Sequence, residues 1–151
     1  MPYLHASAVV IGEAGVLIRG PSGSGKSTLA YSLIAAAEES GYFARLVGDD
    51  RIRISSHGER LIAHGHASIL GKIERCSQGV IEVPFLAAAV LRLAVQLTGT
   101  DETALRYPEP DHDHILLAGS KLPCLSVRQD AAPAALSLAI LADLRLRRII
   151  F

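Results

Sequence analysis

Apolar positions along the chain fall first into short runs cut by glycine, then into one helical stripe, then into short runs again. "SAVVIG" and "VLIRG" are too short for helices and flank the turn Glu13-Ala14-Gly15, so they read as two strands. From about Lys26 to Ser40 the period changes. Leu29, Leu33, Ile34 and Ala37 recur at helical spacing, and Gly41 ends the helix. "FARLVG" returns as a strand that stops at Asp49 and Asp50. "RIRIS", "RLIAH", "GVIEV" and "VLRLAVQL" read as further strands, with Ser-Ser-His-Gly-Glu as a hairpin turn. A second pair, "HILLAG" and "PCLSV", follows the Pro/Asp-rich segment 107–113. "APAALSLAILADLRLRRII" closes the chain as a helix ending in Arg145, Arg147 and Arg148, where cations suit the helix dipole. The expected fold is α/β with a C-terminal helix, richer in strands than an ordinary NTPase with alternating strand and helix.

The break between the second run and the helix carries the chemistry. Gly20-Pro-Ser-Gly-Ser-Gly25-Lys26-Ser27 fits GxxxxGK[ST] in full, between a strand and a helix as that motif requires. Glycines let the backbone turn its amides inward, and those amides with the helix N-terminus offer positive potential to phosphate. Gly20, Ser22, Gly23, Ser24, Gly25, Lys26, Ser27 and Thr28 are therefore the expected nucleotide contacts. Lys26 can reach β and γ oxygens, and the Ser27 hydroxyl can hold Mg²⁺. Asp49 lies 23 residues after Lys26 at the end of the next apolar run. One helix and a short return consume that distance, which places "LVGDD" beside the loop. Of two consecutive acids, one can bind the metal while the other acts as a base on an incoming hydroxyl.

Composition narrows the uses of such a loop. The 151 residues suit one domain, 1–151, able to bury roughly two thirds of its unfolded surface. Lys plus Arg and Asp plus Glu are 15 each, and aromatic residues make up 5%, so neither a basic footprint nor base-stacking platforms point to nucleic acid. The first residues lack the basic flank and apolar core of a signal peptide, and no apolar run is long enough for a membrane span. Cys76 and Cys124 lack CxxC spacing and read as buried thiols, in keeping with a cytoplasmic setting. "HGH" at 64–66 and "DHDH" at 111–114 have no clear third ligand and read as solvated rather than as a metal site. Segment 99–113, acidic and turn-rich, reads as a surface loop, with a partner-facing loop as the alternative. No NKxD or LSGGQ sequence is present, which disfavours GTPases and transporter ATPases, and the chain offers little of the helix and lid of a nucleotide kinase.

Over about residues 4 to 127 the chain resembles the catalytic domain of the HPr kinase/phosphorylase family, in a short form like that of alphaproteobacteria. The resemblance lies in "LHASAVVIGEAGVLIRGPSGSGKS", "RLVGDD", "GKIERCSQGVIEVP", "RYPEP" and "KLPCLSV". It implies a variant phosphate-loop core related to phosphoenolpyruvate carboxykinases, acting on HPr or its nitrogen-system paralogue with ATP and Mg²⁺, in a hexamer. It also implies roles. His5, 21 residues ahead of Lys26, matches an active-site histidine. Asp49 matches the base of the kinase direction, and Ser27, Asp50 and Glu74 match positions at the metal. The chain departs from the family's Glu-x-Arg-Gly-x-Gly pattern, because Cys76 and Ser77 stand where Arg and Gly are expected. With His5 almost at the start, the family's usual N-terminal domain is expected to be absent, and the Pro-Gly-Arg-Asn-like C-terminal segment is matched only loosely, by Arg128. The leading expectation is a protein serine kinase, with the reverse phosphorolysis left open by the missing arginine and expected to be the weaker direction. A small-molecule kinase and a non-catalytic nucleotide-binding regulator are the rivals.

Overall fold

The computed structural model describes residues 3–75, 78–99 and 113–151. In chain order the elements are β1 (Ser7–Ile11), β2 (Ala14–Arg19), α1 (Lys26–Glu39), β3 (Ala44–Gly48), β4 (Ile52–His57), β5 (Arg60–Gly65), β6 (Lys72–Arg75), β7 (Gly79–Glu82), β8 (Ala88–Thr98), β9 (His114–Leu117), β10 (Ser120–Arg128) and α2 (Pro133–Leu146). The result is mixed α/β, a strand-rich sheet with a C-terminal helix.

The sheet runs β3-β1-β2-β8-β10-β9, with the β4–β5 hairpin joined to it through β5 and β8. Its hub is β8. This strand pairs in parallel with β2 through Val16↔Leu93 and with β10 through Cys124↔Ala94, and antiparallel with β5 near its start. A one-residue bulge between Gly15 and Val16 shifts the β2–β8 register. β6 and β7 form a separate two-stranded ladder.

Alternation along the strands sorts the side chains into two cores. Val9, Ile11, Val16, Ile18, Leu93, Val95 and Leu97 meet Leu29 and Leu33 of α1 and Ile140, Leu141 and Leu144 of α2. Ala8, Val10, Leu17 and Ala94 face the other way, against Ile52, Ile54, Leu61 and Ala63 of the hairpin. β2 and β8, buried on both faces, therefore read as nearly continuous apolar runs.

Local chemistry sets the boundaries. The β1–β2 turn is Gly12-Glu13 rather than Glu13-Ala14-Gly15: Ile11 pairs Ala14, and Gly12 takes the left-handed conformation a two-residue connection needs. The β4–β5 hairpin turns at Gly58-Glu59 alone; Ser55, Ser56 and His57, expected in the turn, instead extend β4 and pair with β5. Helix α1 stops where expected, with Gly41 at φ 87°. Helix α2 is shorter than the apolar stripe implies. It ends at Leu146, Arg148 turns left-handed, and Ile150 tucks into the core at 5% exposure. Arg147 pairs with Asp143 at 2.6 Å and Arg145 donates to the Tyr42 hydroxyl at 2.9 Å, so two of the three terminal arginines have structural partners. No helix among the described residues is long and apolar enough to cross a membrane.

Candidate active site

Strand β2 ends at Arg19, and the chain passes through Gly20–Gly25 into α1. Gly25 is the N-cap residue at φ 96°, Gly23 sits at φ 77°, and no side chain caps the helix. Among the described residues no side chain accepts from the first-turn amides, which leaves them open to an anion such as phosphate. Gly20 is required for a different reason. A Cβ there would stand 2.6 Å from Ser24 Oγ and 2.9 Å from Leu97 Cβ. Ser24 Oγ is itself buried without a hydrogen-bond partner among the described residues, the one such side-chain atom there. A polar atom so placed fits a loop that closes on a polar ligand. Lys26 Nζ donates to the carbonyls of Gly20 and Pro21 at 2.9 and 3.0 Å, so the ammonium lies folded over the loop it is expected to serve.

Asp49 organises the centre. It follows β3 and is 5% exposed. Its Oδ1 accepts from Ser7 Oγ at 2.6 Å and from Ser27 Oγ at 2.7 Å, and its Oδ2 accepts from the Glu74 amide at 3.1 Å. Four elements meet on one carboxylate: β1, α1, β6 and the end of β3. Three donors fix both of its oxygens, so its orientation is set before any ligand arrives. Asp50 behaves differently. At φ 69° its backbone is left-handed, which Asp tolerates better than most residues, and its carboxylate turns outward to His5. The His5 Nδ1 to Asp50 Oδ1 separation is 3.4 Å, with side chains 80% and 65% exposed, a pairing too solvated to hold structure by itself.

The structure thus brings Ser27, Asp49 and the backbone of Glu74 together, and places His5 with Asp50 nearby. The side chain of Ser27 bonds to Asp49 and not to Asp50. Glu74 is an exposed residue on β6. Arg75 points away from Asp49's ligands: its guanidinium stacks over the Tyr31 ring of α1 at 4.3 Å. Cys76 and Ser77 lie outside the described residues, as does most of segment 99–113. Cys124 is a buried free thiol whose pKa burial raises, against the lowering pull of Arg19 and Arg147. The histidines of "HGH" have other partners: His64 Nε2 lies 2.8 Å from Ser55 Oγ, and His66 Nδ1 accepts from the Ser68 amide.

Sequence reasoning did not single out Ser7. Its signal was a hydroxyl inside an apolar strand, since a serine at 0% exposure has to find a partner. Arg19 and Gln96 were also passed over. With His5 and Gly20 they line a cavity of about 260 Å³ at the mouth of the loop. A larger concavity of about 1030 Å³, walled by Arg60, Arg92 and Lys121, lies at the other end of β8 and holds none of these groups.

The family model described as the HPr Serine kinase C-terminal domain matches residues 2–104. No curated protein matches the chain. Among solved structures, the Hpr(Ser) kinase/phosphatase from Coxiella burnetii superposes with a TM-score of 0.79 at 24% identity, over 99% of this chain and 100% of that one. That likeness speaks for the fold.

Proposed function

From the chain's membership of the HPr serine kinase C-terminal domain family, we propose that it is an ATP- and Mg²⁺-dependent protein serine kinase acting on HPr or a nitrogen-system paralogue. Its setting in this reading is the cytoplasm, in the control of carbon and nitrogen metabolism, and its assembly a hexamer. The observation that carries the reading is the buried Asp49 carboxylate, tethered to the hydroxyl of the phosphate-loop serine. A loop shaped for phosphate and a fixed carboxylate beside it are what phosphoryl transfer asks of a protein.

The residues divide the work as follows. The amides of Gly23 to Thr28 and the Lys26 ammonium hold the nucleotide phosphates; Lys26 exchanges its two loop carbonyls for phosphate oxygens. Ser27, Asp50 and Glu74 supply oxygens of the kind Mg²⁺ prefers, and the cation would offset charge on the transferred group. Asp49 takes the proton of the acceptor serine as its oxygen attacks, and His5 lines the entry beside Asp50. A second division is favoured by one observation, the 2.7 Å bond from Ser27 to Asp49. In that version Asp49 belongs to the metal and the exposed Asp50, next to His5, receives the proton.

Forward transfer should exceed the reverse. Phosphorolysis brings two phosphate anions together and calls for added positive charge. Arg75, committed to Tyr31, does not supply it at Asp49. The test is incubation of purified protein with [γ-³²P]ATP and Mg²⁺, offering HPr, its nitrogen-system paralogue and a panel of small metabolites. Label on a serine of a phosphocarrier supports the reading. Label on a metabolite would favour the small-molecule kinase, and no label the regulator.

A further inference from the structure

Arg19 is the last residue of β2, immediately before Gly20 of the phosphate loop. Strand alternation sets it on the same face as Leu17, away from the helices, where its β8 partner Gln96 also lies. Its charge is felt by the buried Cys124 thiol of β10, which agrees with that placement. The side chain is partly buried, yet among the described residues it makes no ion pair, hydrogen bond or stacking contact. A guanidinium has five N–H donors in a fixed fork, and leaving them idle in a crevice is costly.

The crevice itself is informative. Arg19, Gln96, Gly20, His5, Leu4 and Leu117 enclose about 260 Å³ at the loop's mouth. This is room for a phosphoryl group and the short side chain that carries it. Among the described residues the cavity has one permanent cation, Arg19, and His5 on its rim is already turned toward Asp50. Lys26 does not line it, because its ammonium is held by the Gly20 and Pro21 carbonyls.

We propose that Arg19 binds a dianionic phosphoryl group on the acceptor side of the phosphate loop, by the paired N–H geometry that suits phosphate oxygens. The proposal rests on the kinase reading and deepens it. The group is either the phosphoserine of the phosphorylated partner or free inorganic phosphate. In both cases Arg19 balances one anion on this face, while the second anion of the reverse reaction still lacks an arginine at Asp49, since Arg75 is stacked on Tyr31. An unphosphorylated acceptor serine gives Arg19 no anion, so the residue discriminates product from substrate.

The experiment uses the whole protein loaded with Mg-ADP, so that the loop's own phosphate positions are filled. Wild type, Arg19→Gln and Arg19→Lys are titrated calorimetrically with inorganic phosphate, with HPr and with seryl-phosphorylated HPr. Arg19→Gln is expected to weaken anion binding roughly tenfold to a hundredfold, the scale of hydrogen bonds to a charged group. Arg19→Lys should recover part of the loss, and ADP affinity should stay within about twofold because none of residues 21–28 of the loop, Lys26 included, lines the Arg19 cavity. If the phosphoserine is the ligand, the loss appears with phosphorylated HPr and not with HPr. If free phosphate is the ligand, it appears in the phosphate titration. Equal affinities in wild type and Arg19→Gln for both anions would overturn the proposal, as would no saturable binding of either to the ADP-loaded wild type. Failure of wild type to bind Mg-ADP is a separate outcome: it would overturn the kinase reading and the Arg19 assignment with it.

Discussion

Replacing Ser7 by alanine removes one fully buried hydroxyl whose one side-chain bond among the described residues is the 2.6 Å donation to Asp49. The acceptor is a carboxylate, so the bond is worth about 1.5–3 kcal/mol. Asp49 keeps Ser27 and the Glu74 amide and is not stranded, which places the expected loss near the lower end, about 1.5–2 kcal/mol. For a domain of this size that is a fall in Tm of about 3–8 °C. Alanine at this site loses little apolar contact, so the effect measures the bond. A double-mutant cycle isolates it: wild type, Ser7→Ala, Asp49→Asn and the pair, each unfolded in urea and followed by circular dichroism. Ser7→Ala should cost less in the Asp49→Asn background, with a coupling of about 1 kcal/mol or more. Additivity within ~0.5 kcal/mol would refute the reasoning, because two groups in a shared buried bond cannot be energetically independent.

Three further outcomes follow from the same geometry. Asp49→Asn should slow phosphoryl transfer by ~10²-fold or more with ATP affinity nearly unchanged, whereas Asp50→Asn should raise the Mg²⁺ requirement; Mg²⁺ titrations of both variants decide, and an exchange of the two behaviours would establish the second division of roles. Gly20→Ala should cut transfer by about a hundredfold, since the added Cβ displaces Ser24 or Leu97 and with them the loop; a fully active variant would show that the close approach is absent. Burial, reinforced by the charges of Arg53 and His57, lowers the His64 pKa, so the folded state favours the neutral ring. The unfolded chain takes up its proton near pH ~6.5. The His64 contribution is therefore present above that pH and is lost as pH falls through the lowered folded value. Urea midpoints should drop between pH 7.5 and 5.5 less in His64→Gln than in wild type, and equal drops would contradict this.

Much of the frame was legible because alternation and glycine are local signals. β1, β2, α1 and β3, with the acids placed at the end of the next run, depend on nothing beyond neighbours in the chain. Strand β6 escaped notice because Lys72-Ile73-Glu74-Arg75 offers a single apolar side chain; what makes it a strand is its ladder with β7 and the Asp49 bond to the Glu74 amide. The role of β8 as hub was equally hidden, since pairing with β2, β5 and β10 is decided by the whole sheet. The overlong reading of α2 has a plain cause. Ile149 and Ile150 continue the apolar stripe but reach the core by leaving the helix at Arg148. In the candidate site, residue type pointed to Lys26, Ser27 and Asp49, and the fold brings the last two into contact. Residue type could not reveal Ser7, a common residue whose importance comes from a partner 42 positions away. Nor could it show Arg75 turned onto Tyr31, because that depends on which side of β6 faces α1.

The central claim is that the Gly20–Ser27 loop and Asp49 together move phosphate from ATP to a serine of a phosphocarrier protein. The most direct measurement is the initial rate of seryl phosphorylation of HPr and its nitrogen-system paralogue, at saturating Mg-ATP, for wild type and for Lys26→Ala of matched thermal stability. The account predicts phosphoserine on one of these carriers with wild type. It also predicts a rate for Lys26→Ala that is lower by orders of magnitude, since the fold does not need that ammonium while the transferred group does. Transfer at the same rate by both proteins, or no phosphoserine on either carrier with wild type, would contradict it.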